Sequence, residues 1–162
     1  MECPGDIAWL CLSFPLLLPA FAVMVQAGST SVDVDYRLWN TDFGVVEIAG
    51  IEETIVGRYP AFGGVLVMKR LAPERFEGVW IQQESDKLCS GPPELPGTPG
   101  ELLAMAGVPA DPRHWGRVRF DSNRESGSVD GAWGYCFEEP GAAGAWDGKT
   151  EARNIRTLRV PR

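Results

Sequence analysis

At 162 residues, with 15 basic against 22 acidic side chains, a formal net charge of −7 and a pI near 4.7, the chain is long enough for one domain with a proper core and too short for two ordinary ones. The acidic balance excludes nucleic acid and the surface of an anionic membrane as main partners, because both demand a basic footprint. Its 19 glycines, 13 prolines and 10% aromatic residues exclude an ordinary helical bundle and favour a turn-rich β protein.

The first element is an address. From Ile7 to Val25 the chain is almost wholly apolar, and Val25-Gln26-Ala27 followed by Gly28-Ser29-Thr30 fits the small-residue cleavage pattern of an export signal. Residues 1–27 are therefore expected to be a signal peptide cleaved after Ala27, which places a single domain of residues 28–162 in a secreted or periplasmic setting. The stretch before it, Met1 to Asp6, departs from the pattern by carrying Glu2 and Asp6 and no Lys or Arg. A membrane anchor over residues 7–25 is the alternative, since about 20 apolar residues cross a bilayer. Pro15 and Pro19 stand against a spanning helix, and no lipobox-like run precedes Cys11. Cleavage would remove Cys3 and Cys11 and leave Cys89 and Cys136, an even pair expected to form a disulfide.

Strands come next. Val32, Val34, Tyr36 and Leu38 alternate with Ser31, Asp33, Asp35 and Arg37, the period of a half-buried strand, and the Asp33 and Asp35 pair is read as its outward face. Trp39 to Gly44 makes a hinge, Val45, Val46 and Ile48 a second strand, and Gly50 with Glu52-Glu53 a turn before Thr54–Tyr59. Pro60 and Gly63-Gly64 punctuate the chain before Val65–Lys69, and Leu71 to Glu74 turns it into Arg75–Gln83. Strands of about six residues with turns every eight to twelve are the pattern of an antiparallel meander.

A proline-rich insertion, residues 84–113, breaks this rhythm with Pro92, Pro93, Pro96, Pro99, Pro109 and Pro112. Inside it, Thr98-Pro99-Gly100-Glu101 has the form of a capping box, and Leu102 to Ala106 runs to a stop at Gly107, which predicts one short helix. So long an excursion is either a binding loop or structural decoration tied down by Cys89. Alternation resumes from Trp115 to Phe120, and Asp121-Ser122-Asn123 turns the chain into Val129–Phe137. After a Gly/Ala-rich link, Asn154–Val160 reads as a closing strand. The total is about eight strands, enough for a small up-and-down barrel, closed or partly closed.

A short phrase recurs along these strands: Gly57-x-Tyr59, Gly78-x-Trp80 and Gly131-x-Trp133, joined by Trp39-x-x-x-Phe43-Gly44 and Trp146-x-Gly148. Residues i and i+2 of a strand share a face, so each glycine stands beside its ring and leaves room for a bulky side chain from a neighbouring strand. This order resembles a group of uncharacterised bacterial exported β-meander proteins, and its layout is similar to the calycins, the lipocalin and avidin-like barrels. The resemblance covers most of residues 32–150 and implies a barrel. It implies no ligand and no binding residues. The insertion is unlike a compact avidin-type barrel, and the Gly-x-Trp that opens a lipocalin is not matched at Trp39.

For chemistry, the residues offer little. His114 is the only histidine, no Gly-x-Ser-x-Gly is present, and neither a Cys-x-x-Cys pair nor a zinc ligand set exists, so no catalytic residue, metal ligand or cofactor is assigned. The tryptophans beside glycines read as core. Trp115 and Trp146 lack a glycine two residues before them and adjoin loops, so they are the candidate ligand-binding rings, with Arg117 as a candidate polar partner. Arg119 and Arg153 are further possible anion contacts. The leading expectation is a noncatalytic binding module for a small apolar ligand, or for an exported protein or glycan at the loop end. A structural or envelope-interaction protein without ligand is the alternative, and a hydrolase comes third.

Overall fold

The computed structural model describes residues 29–95, 97, 103 and 106–161. The strands are β1 (Ser29–Thr41), β2 (Gly44–Ile51), β3 (Thr54–Tyr59), β4 (Gly64–Ala72), β5 (Arg75–Gln82), β6 (His114–Ser122), β7 (Ser128–Trp133), β8 (Gly144–Ala145) and β9 (Gly148–Pro161). They pair in the order β6-β5-β4-β3-β2-β1-β9-β7-β8, every pairing antiparallel, and the further β6–β7 pairing closes eight of them into a barrel. The extra strand, β8, lies on the same side of β7 as β9 does. β7 pairs with β9 through Ser128 and Val129 and with β8 through Ala132 and Trp133, with Trp146 and Asp147 standing between. Together β8 and β9 act as one interrupted partner. The expected leader, residues 1–27, lies outside the described residues.

Chemistry at the turns sets the register. Gly44 takes a φ of 92° after Asp42-Phe43, and its missing side chain leaves space for Pro60. The sixth hairpin turns later than expected: Asp121 and Ser122 belong to β6, and the Asn123 side chain accepts the amides of Glu125 and Ser126 at 2.9 and 3.0 Å. β7 likewise ends at Trp133 rather than Phe137. The tail is the longest strand, and beyond the barrel rim Ser29–Val34 pairs with Arg156–Pro161 as a two-stranded ribbon.

Inside the barrel, Trp39, Phe76 and Phe120 meet at ring-centroid distances of 5.3 and 5.7 Å, surrounded by Val46, Ile48, Ile55, Leu66, Met68 and Val118. Of the glycine marks, Gly131 does what its spacing predicts: a Cβ there would stand 2.5 Å from the Phe120 ring. Two glycines outside the recurring phrase make room for its rings from across the strand pair, since a Cβ on Gly64 would stand 2.0 Å from Tyr59 and one on Gly116 2.7 Å from Trp80. Gly78 serves differently: its absent Cβ lets the β4 backbone approach, the Val67 carbonyl oxygen lying 2.1 Å from where that atom would be.

The facing of β1 is a correction. Trp39 pairs with Val46 and Arg37 with Ile48, and all four are buried, so the inward set is Asp35, Arg37, Trp39 and Thr41. Asp33 shares the face of Asp35 and is exposed because β1 there runs beyond the barrel rim, Asp35 points inward against the expectation, and Tyr36 and Leu38 are the half-buried outer residues. The barrel end here is plugged by ion pairs instead of hydrocarbon.

The insertion covers the outer face of β4, β5 and β6. Val65, Val67, Val79, Ile81 and Trp115 project outward and are buried with Cys89 and Ala106, against Leu95, Leu103 and Val108. Residues 65–68 of β4 and 79–81 of β5 are therefore buried on both faces, which accounts for these apolar runs, whereas Arg117 and Arg119 carry the outer face of β6 out to solvent. A disulfide joins Cys89 to Cys136. The helix expected over 98–107 falls mostly outside the described residues. Leu103 and Ala106 are helical, and the stop is where the glycine placed it: Gly107 has a φ of 78° and Val108 N–H bonds to Leu103 O at 3.1 Å.

Candidate functional site

In an up-and-down barrel, alternate connections share an end. The β1–β2 turn, the β3–β4 turn, the insertion after β5 and the segment after β7 therefore gather at one rim, and between them lies an open cavity of about 490 Å³. Its walls are aromatic: Phe43 and Phe62 from the two turns, Tyr59 from β3, Trp80 from β5, Trp133 and Tyr135 from the β7 end, and Trp146. Gln82, Glu84, Ser85 and Asp86 complete the rim.

The rings hold one another in fixed attitudes. Phe43 and Tyr59 contact Trp146 at 4.7 and 4.8 Å, the latter edge-on, while Trp80 meets Trp133 and Tyr135 edge-on at 5.9 and 5.8 Å. Each indole N–H is tied: Trp146 to Thr41 Oγ1 at 2.9 Å, Trp80 to Gly134 O at 3.1 Å, and Trp133 to Ala145 O at 3.2 Å. None of these three N–H groups is left to bond a ligand, so the rings present carbon surface to the cavity. Deeper in, the Tyr59 hydroxyl is buried beside Gln82 yet has no partner at hydrogen-bonding geometry, and burial pushes its pKa up. The floor is Trp146 packed on Phe120 at 5.2 Å, so the cavity stops at the filled core.

Of the residues singled out from sequence, Trp146 lines this mouth. Trp115 does not: it lies outside the barrel, buried under the insertion, donating to Gly91 O at 2.7 Å and meeting Phe137 at 4.9 Å. Arg117 is also on the outer face, where it pairs with Glu139 and borders, with Trp115, a second open cavity of about 530 Å³. The structure thus brings Trp115 and Arg117 together and leaves Trp146 apart, at the mouth. In the sequence Phe43 stands out only as part of the Trp39-x-x-x-Phe43-Gly44 mark, and Phe62 and Tyr135 carry no local signal of a site, Tyr135 standing in the aromatic series Trp133, Tyr135, Phe137. The signal that finds them is topological, since all three fall on connections that an even meander brings to one rim.

His114 and Ser85 meet at this rim, with Nδ1 3.1 Å from Oγ. The serine hydroxyl gives its one proton to Lys87 O at 2.8 Å, so in this arrangement the imidazole donates to the serine. That direction is opposite to the one a general base needs to activate a nucleophile. Among the described residues no group of three or more His, Cys, Asp or Glu is placed to hold a metal ion.

No protein-family model, curated protein or solved structure matches the chain.

Proposed function

We propose that the protein is an exported, noncatalytic binding module that takes a small organic cation, with an apolar ring and one positive charge, in the aromatic mouth of its barrel. The observation that carries this reading is the mouth itself: seven aromatic side chains surround open space above a core that is otherwise filled. Their indole N–H groups are already engaged, so the faces offered are apolar and electron-rich, the surfaces that favour cations and flat rings. Glu84 and Asp86 add negative charge at the rim, and Lys87 Nζ stands 5.7 Å from the Tyr135 ring, a cation–aromatic contact of the same kind. Export is supported by the apolar leader sequence and by the disulfide, which persists in oxidising compartments.

Calorimetric titration with benzyltrimethylammonium, 2-phenylethanol and benzenesulfonate tests the reading. The expected order of affinity is cation, neutral alcohol, anion. Trp133→Leu, at a half-buried position, should weaken the cation about tenfold, the share of one ring face. Tyr59→Phe keeps the ring and should leave cation binding intact. Absence of saturable binding by all three probes would leave the alternative, a structural or envelope-interaction protein without ligand. Intact-mass analysis of the exported product tests the address, since a chain beginning before Gly28 would favour a retained anchor.

A further inference from the structure

At the end of the barrel opposite the mouth, four arginines from four different places in the chain line a groove of about 320 Å³: Arg37 from β1, Arg70 from β4, Arg124 from the β6–β7 turn and Arg153 from β9. Among the described residues, two carboxylates bond to them, those of Asp35 and Glu74. Asp35 Oδ2 accepts from Arg37 at 2.9 Å, from Arg70 at 3.0 Å and from Arg153 at 3.1 Å, and Oδ1 accepts a second bond from Arg153 at 3.1 Å. Glu74 accepts from Arg124 at 3.1 Å and from the Ser122 hydroxyl, and stands 3.7 Å from Arg37. The neighbouring Glu53 is taken by Lys69 at 3.2 Å. Among the described groups gathered here, the four arginines and Lys69 face the carboxylates of Asp35, Glu74 and Glu53, which leaves an excess of positive charge in a chain whose net charge is −7.

An ion-pair plug built only for stability would match its charges. Here Arg37 is 5% exposed, and Arg70 Nε is buried without an acceptor. Arg70, Arg153 and Arg124 keep 26%, 35% and 66% of their side chains exposed, so the excess charge stands where a ligand can reach it, and a buried donor without a partner costs more than one left in water. The carboxylates have little capacity left, because one oxygen of Asp35 already serves three arginines. What would complete the site is a group with several acceptor oxygens and negative charge, the complement of a guanidinium fork.

We propose that this end of the barrel binds an oxyanion group, phosphate or sulfate in type, held by Arg70, Arg124 and Arg153. The group enters as a free ion or as the charged end of a larger molecule. The overall negative charge gives such a ligand no long-range attraction, so affinity must arise within the roughly 8 Å over which charges act at physiological salt. That makes recognition local to the groove.

Calorimetric titration of the full folded domain at low salt, with sodium phosphate, sodium sulfate and phenyl phosphate against chloride at matched ionic strength, tests this. Saturable binding at one site is expected for the oxyanions and not for chloride. Arg124, 66% exposed in its side chain, can be replaced without disturbing the core. R124Q and R70Q should each weaken binding about tenfold, while K149Q, an exposed lysine outside the groove, should not. Phenyl phosphate binding more tightly than phosphate would identify a group on a larger ligand, and equal affinity a free ion. The proposal is overturned if no oxyanion saturates the native protein, or if circular dichroism shows R124Q folded and its affinity is unchanged.

Discussion

Replacing both Cys89 and Cys136 by alanine isolates the contribution of the one cross-link in the domain. The link joins residues 47 apart in sequence, and the chain-entropy relation for a loop of that length gives about 4 kcal/mol of stabilisation, exerted on the unfolded chain. The folded side has other holds at the same place. Cys89 N bonds to Arg113 O at 2.8 Å, Arg113 Nε to Cys89 O at 3.0 Å, Cys136 N to Trp115 O at 2.9 Å and Trp115 Nε1 to Gly91 O at 2.7 Å. The insertion should therefore stay docked over β4, β5 and β6 in the variant, and the loss should stay near the entropic figure. Since a domain of this size is stable by only about 5–15 kcal/mol, the loss should be large on a urea curve. Urea unfolding followed by tryptophan fluorescence and far-ultraviolet dichroism reads it. The expected result is coincident transitions, a stability lower by about 4 kcal/mol, and a steeper denaturant dependence because the freed chain expands further on unfolding. A loss below about 1 kcal/mol with an unchanged slope would refute the reasoning.

Two other perturbations test the barrel interior. Gly116→Ala places a Cβ 1.8 Å from Gly134 O and 2.7 Å from the Trp80 ring, so it should cost about 3 kcal/mol or prevent folding, whereas Gly91→Ala, with nothing within 4 Å, should be neutral in the same melt. At Asp35, burial is the largest single influence and raises the pKa, but the bonds and charges of Arg37 and Arg153 together outweigh it and hold the value at about 2. A depressed carboxyl stabilises the fold above its unfolded pKa, and that contribution is lost as pH falls from near 4 through about 2. After allowance for solvent screening the loss is on the order of 1 kcal/mol. Stability measured at pH 5 and pH 2.5 should differ by that much less in Asp35→Asn than in the native chain, and equal acid sensitivity would remove Asp35 from the account.

The architecture was legible where side-chain size speaks through backbone spacing. Glycine two residues before an aromatic placed Tyr59, Trp80 and Trp133 on the inner faces of β3, β5 and β7, and the turn signals divided the chain into a closed meander. The facing of β1 was not legible, because alternation assigns the apolar set to the interior. In this strand Asp35 and Arg37 share the inward face, and their charges are met by Arg70, Glu74 and Arg153 from strands and turns remote in sequence. An opposite-charge pair at i and i+2 is the local hint of such a plug, but its remote partners do not show in any window. The same reasoning explains Trp115. It stands beside a loop in sequence and looked available, yet the insertion folds back over it.

A line of contacts runs through the barrel from one end to the other. Arg37 lies over the Phe76 ring at 5.2 Å, Phe76 meets Trp39 at 5.7 Å, Trp39 meets Phe120 at 5.3 Å, and Phe120 meets Trp146, the floor of the mouth, at 5.2 Å. Such continuity invites the idea that the two ends communicate, but continuity is not coupling: a packed column transmits a bias only if some member has a second arrangement to adopt. Phe120 fills the space left by Gly131, and Trp146 is held by its bond to Thr41 and by edge contacts on both sides, so neither has room for a second arrangement without moving its neighbours. The column therefore acts as a wall. It keeps a negatively rimmed aromatic mouth and a positively charged groove apart in one small domain, so the two ligands proposed should bind with additive free energies, and a phosphate titration repeated with benzyltrimethylammonium present should give an unchanged affinity.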